Sequence, residues 1–151
     1  MRKLFVAVAV VLLTSAWASA TDQTDVMAKV NQFVEGFNKG DVKMAVGACA
    51  DQTFIIDEFP PHQWQGMGAC SAWATDYETD SKKNGVTDAV VTLGKPRHVD
   101  VTGDVAYVVV PASYAYKQHG KAMKEVGSTL TIVLKKGSAG WLITSWAWAS
   151  Q

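Results

Sequence analysis

The chain has 151 residues, of which 48% are apolar, and carries 14 basic against 14 acidic side chains. That length gives one domain with room for a core, and no low-complexity linker divides it. The even charge leaves no basic footprint for nucleic acid.

At the N-terminus, Arg2 and Lys3 precede the apolar run Leu4 to Leu13, and Ala18-Ser19-Ala20 follows. This is the pattern of a cleaved secretory signal, with cleavage expected after Ala20. The run is about half of the roughly 20 residues that a membrane span needs, and no later segment is continuously apolar for longer. The expectation is a leader over residues 1–20 and a single exported domain over 21–151, periplasmic or secreted and free of the membrane once the leader is gone. Loss of Arg2 and Lys3 would leave 12 basic against 14 acidic side chains, which again offers nothing to a polyanion.

Residues 22 to 38 place Val26, Val30, Phe33, Val34 and Phe37 at the three-and-four spacing of an amphipathic helix. Gly40 stops it, and Asp41 caps a second helix through about Ala50, with Val42, Ala45, Val46 and Cys49 on one face. Thr53 to Phe59 is β-branched and aromatic and reads as a strand, which Pro60-Pro61 ends because proline has no amide hydrogen. A third helix is expected from about Gly68 to Lys83, with Cys70, Trp73 and Tyr77 in line, closed by Asn84-Gly85. Strands follow at about 86–93, 105–116, 123–135 and 141–149, joined by short turns that make them antiparallel neighbours. This order gives an α+β architecture with helices on one face of a sheet.

Cys49 and Cys70 are the only cysteines, and in an exported chain a disulfide persists. A bridge would close a loop of about 20 residues; two free, buried thiols are the other reading. His62, His98 and His119 stand apart with no carboxylate at ligand spacing, so neither a metal site nor a cofactor is expected.

The helix, the Gly40-Asp41 turn, the second helix, the ADQTFIID strand, WQG before the third helix and the closing GWLITSWAWAS together resemble the SnoaL-like, nuclear-transport-factor-two-like superfamily. The resemblance covers nearly all of residues 21–151. It implies a curved antiparallel sheet wrapped around three N-terminal helices, a cystatin-like cone whose interior is often a ligand pocket. Within the superfamily, CADQTFIIDEF resembles the stretch of bacterial ketosteroid isomerases in which an aspartate at the end of the first strand shuttles the proton, and the matching position is Asp57. The hydrogen-bonding pair of those enzymes does not carry over, because its tyrosine falls at Phe33 and its second carboxyl near Ile132. A base without that pair lacks a large electrostatic contribution.

Strand alternation sends Asp57 and Glu58 to opposite faces, so they are not expected to form a close dyad. Periodicity does not decide which faces the core; the resemblance favours Asp57. Inside an apolar cone, desolvation would raise the Asp57 pKa toward the range of a general base at neutral pH, with His62 placed to orient it. The alternative is a solvated turn with His62 at the surface. Trp64, Trp73, Tyr77 and Tyr114 are the candidate ligand-binding walls, with plain core packing as the other reading for the tryptophans.

Trp146 and Trp148 share a face of the last strand, opposite Ile143, Ser145 and Ala147. If Ile143 faces the cone, the two indoles cover the outer sheet surface, which predicts a homodimer through that face. The sequence thus leads to an exported pocket protein for a small, mostly apolar molecule. It would act by isomerase, dehydratase or hydrolase chemistry through Asp57, or else serve as a non-catalytic binding or dimerisation module.

Overall fold

The computed structural model describes residues 8–151, with side chains from Thr21 onward. The expected leader, residues 1–20, therefore lies outside the residues whose side chains are described.

The first helix, α1 (Val8–Lys39), buries Val26, Val30, Phe33 and Val34 along the stripe that the spacing predicts. Gly40, at a φ of 65°, turns the chain, and the Asp41 carboxylate accepts the Met44 amide at 2.9 Å to cap α2 (Val42–Val46). The two helices meet at Gly36, where a Cβ would lie 2.4 Å from the Ala45 nitrogen, so only glycine permits the approach. α2 ends four residues earlier than the sequence reading has it. Cys49 and Ala50 are drawn instead into β1 (Cys49–Ile56), which runs parallel to the last strand, with Ile143 donating its amide to Ala48 O, just before β1, at 2.9 Å.

β2 (Gln63–Met67) forms an unexpected hairpin with β1. Its only buried residue is Trp64, so it has no apolar alternation to announce it. α3 (Ala69–Lys83) is followed by β3 (Val86–Leu93), β4 (His98–Thr102), β5 (Val105–Gln118), β6 (Lys121–Gly137) and β7 (Gly140–Ala149). The sheet order is β2-β1-β7-β6-β5-β3, with β4 also on β5. β4, too, is missed by the sequence reading. It and β3 share the same edge of β5, and Pro111 sits at the switch between them, where its lack of an amide hydrogen costs no ladder bond.

One face of this curved sheet packs on α1 and α3, and Ile55, Val108, Val110, Ile132, Leu134 and Ile143 form the floor of the core. Cys49 and Cys70 are joined in a disulfide, which decides between the two readings of the sequence and ties the start of β1 to the first turn of α3.

The placement of Trp146 and Trp148 corrects the sequence reading. Pairing of β6 with β7 slips between Val133↔Ser145 and Leu134↔Ile143, leaving Thr144 as an extra residue. Such a bulge reverses the alternation, so Ile143 and Trp146 both face inward. Trp146 is 4% exposed and touches Phe33 and Trp73, and Trp148 is half-buried against the same core. The outer face is made instead by Phe54, Ile56, Tyr107, Val109, Val133 and Ala147.

Candidate functional site

β1 ends at Ile56, one residue short of Asp57. Past that point alternation no longer governs the side chains, and Asp57 and Glu58 both turn toward one cavity. This overturns the expectation of opposite faces. The cavity measures about 70 Å³ and is walled by Phe33 and Phe37 from α1, Trp73 from α3, Tyr114 from β5, and Trp146 and Trp148 from β7. The rings stand steeply to one another: Trp73 and Trp146 meet at 89° with centroids 4.9 Å apart, and Tyr114 and Trp148 at 79° and 6.4 Å.

Asp57 is held from two sides. Its Oδ2 accepts the Trp73 indole N–H at 2.8 Å, and its Oδ1 accepts the Glu58 amide at 2.7 Å. Burial pushes its carboxyl up to about 6, against the opposing pull of those two donors. At neutral pH it is therefore mostly ionised yet basic enough to take a proton, the balance a general base requires.

His62 does not reach that carboxylate. Its ring nitrogen Nδ1 lies 3.2 Å from the Asp57 main-chain oxygen, and the Asp57 amide donates to His62 O at 3.1 Å, so it braces the turn and stands exposed outside the cavity. Trp64 is also outside: it is buried beneath Phe59, with its N–H donated to Asp76 at 2.8 Å. Trp73 and Tyr114 line the cavity, and Tyr77 stands behind them, its hydroxyl 2.7 Å from that of Tyr114. Burial raises both phenols, so each remains a protonated donor.

The sequence reading missed the inward Glu58, Trp146 and Trp148, and it missed Glu125 entirely. Glu125 lies directly across from Tyr114, on the same face, because the β5–β6 register shifts between Ala112 and Tyr114. Gly127, at a φ of 82° within that stretch, accommodates the shift. A glycine inside a strand pattern is a bulge signal that was available in the sequence. Burial raises the Glu125 carboxyl, and the facing Glu58 and Asp57 raise it further. Among the described residues its Oε2 is buried without a hydrogen-bond partner, as is Trp146 Nε1.

The titration of Asp57 gives a stability signature. Unfolded, its carboxyl titrates near 4; folded, near 6. Between those values the folded chain keeps a proton that the unfolded chain has lost, so this contribution is complete below about pH 4 and falls away as pH rises through about 6. The shift corresponds to at most about 3 kcal/mol, and partial solvent access reduces it to about 2. Asp57→Asn should lack the fall, while the ionisable neighbours Glu58, His62, Tyr77 and Glu125 are present in both forms. Urea denaturation of both proteins from pH 4 to 8 measures it; a difference that stays constant across that window would mean Asp57 titrates like a solvated carboxyl.

A profile for the SnoaL-like domain matches residues 26–148. No curated protein sequence matches the chain. Among solved structures, an NTF2-like protein with a cystatin-like fold from Novosphingobium aromaticivorans is 15% identical, with a TM-score of 0.76 over 96% of this chain and 92% of that one. A nuclear transport factor 2-like superfamily protein from Salmonella enterica gives a TM-score of 0.74 at 15% identity, covering 87% of this chain and 92% of its own. A ketosteroid isomerase-like protein from Erwinia carotovora gives 0.68 at 15% identity, over 85% and 95%. At these identities the structures establish a common fold.

Proposed function

We propose, for a chain that belongs to the SnoaL-like domain family, that it is a pocket protein which binds a small molecule with a mostly apolar body and acts on it by acid–base chemistry with Asp57 as the base. The observation that carries this reading is a carboxylate fixed by two donors inside an aromatic cavity and poised near neutrality. Tyr114, kept protonated chiefly by burial, is a donor for a developing negative charge when the Tyr77 hydroxyl donates to its oxygen. Isomerisation, dehydration and hydrolysis all use such a pair. In this reading His62 is a positioning residue that fixes the turn carrying Asp57.

The second reading keeps the pocket and drops the chemistry, because Asp57 is then only a fixed acceptor for a bound ligand. Export to the periplasm or beyond is part of the proposal, supported by the leader pattern of residues 1–20 and by the disulfide. So is a homodimer through the outer sheet face, where Phe54 and Ile56 are 40% and 46% exposed.

A thermal-shift screen against a metabolite library, run on the wild type and on Asp57→Asn, tests the function. A ligand at a hundred times its dissociation constant stabilises by about 2.7 kcal/mol, which such a screen reads. The expected result is a ligand that both forms bind and only the wild type converts. Conversion by both would remove Asp57 as the base, and binding without conversion by either would leave the non-catalytic module.

A further inference from the structure

We infer that the ligand of this cavity is a small organic cation: an ammonium group on a compact aromatic or aliphatic body that also carries an oxygen acceptor. The inference rests on the pocket reading above and adds to it the charge of what binds.

The acidic groups that line the cavity are the carboxylates of Asp57 and Glu58, beside the Tyr114 hydroxyl and the tryptophan indoles; among the described residues no lysine or arginine lines it. Glu125 faces the two carboxylates from β6. Among the described residues no ion pair engages Asp57, Glu58 or Glu125. His62 is the weakest influence on Asp57, and its ring is held at the main chain outside the cavity. Acidic side chains turned toward one apolar space without a countercharge repel an anion, and they pair more strongly with a cation than with a neutral hydrogen-bond donor.

The walls make the same selection by other means. Trp73 stands nearly at right angles to Trp146, and Tyr114 to Trp148, so the walls present ring planes in more than one orientation to the space. The negative face of an aromatic ring attracts a cation, and tryptophan does so most strongly. A box of such faces with a carboxylate at one corner is how a desolvated ammonium group is held.

Trp146 supplies an independent sign of a ligand. It is 4% exposed and walls the cavity, and its indole N–H is buried without an acceptor. A buried donor left unpaired is costly, and a guest oxygen that reached it on binding would relieve that cost. The size is bounded too: about 70 Å³ of this kind holds roughly five to seven waters, the bulk of about ten heavy atoms.

A charge series on one frame tests this: 2-phenoxyethylamine, 2-phenoxyethanol and phenoxyacetate, titrated calorimetrically into the full chain at near-neutral pH and low salt. The amine should bind about tenfold or more tightly than the alcohol, and the carboxylate weakest of the three. Asp57→Asn and Glu58→Gln should each weaken the amine by about tenfold while leaving the alcohol within about twofold. Glu58 is exposed at the mouth, so its variant keeps the fold if Asp57→Asn does not. An alcohol that binds as tightly as the amine overturns the cation and leaves the pocket standing. Absence of binding by all three also overturns the cation, and the library screen then judges the pocket on its own.

Discussion

Trp146→Ala should lower the stability of the folded chain by about 3 to 5 kcal/mol, the cost of truncating a large buried aromatic. The side chain is 4% exposed and packs between Phe33, at a centroid distance of 5.6 Å, and Trp73, at 4.9 Å. Its removal would strip Trp73 of its perpendicular neighbour and loosen the ring that holds Asp57. Trp146→Phe should cost less, about 2 kcal/mol, because it keeps a ring against both neighbours and removes the unpaired N–H. Urea denaturation followed by circular dichroism measures both. If the alanine variant loses less than about 0.5 kcal/mol, as an exposed position would, the residue does not face the core.

Breaking the Cys49–Cys70 bridge should cost about 3 kcal/mol, the loop-closure entropy of a crosslink spanning 21 positions. That loop contains the β1–β2 hairpin and the entry to α3, so it carries both Asp57 and the approach to Trp73. Reduction of the wild type isolates the crosslink itself. The double variant Cys49→Ala, Cys70→Ala should lose somewhat more, since both sulfurs are buried and leave space behind. Equal denaturation midpoints with and without reductant would mean that the bridge does not restrain the unfolded chain.

The parts of this molecule that were legible in the sequence are those governed by one period over a long stretch. The α1 stripe from Val26 to Phe37 and the Gly40-Asp41 break are read directly, because apolar spacing and capping chemistry are local. β2 and β4 were not legible: each is five residues long, mostly exposed, and ordered by the strand beside it. The site was half legible for a related reason. Asp57 was found through resemblance, and Trp73 through its helical stripe. Trp146 was assigned to the wrong face because Thr144 interrupts the alternation with no glycine or proline to mark it. Glu58 was misplaced by extending β1 past Ile56, although Pro60-Pro61 warned that the ladder was ending. Inversions of this kind gather where a sheet is bent to enclose a space, and here they account for most of the cavity wall.

The parallel pairing of β1 with β7 has a bearing on how the chain folds. Cys49 lies beside Ile143, so the strand that delivers Asp57 finds its inner neighbour only among the final residues of the chain. Contacts so distant in sequence close slowly, since the intervening loop entropy is spent before they reward it. The helices and the β5–β6 hairpin have local partners and can order early, whereas the β1–β2 hairpin has an unpaired edge until β7 docks. The cavity is therefore expected to close only when β7 docks, and a chain cut short before Gly140 would lack the two walls that Trp146 and Trp148 supply.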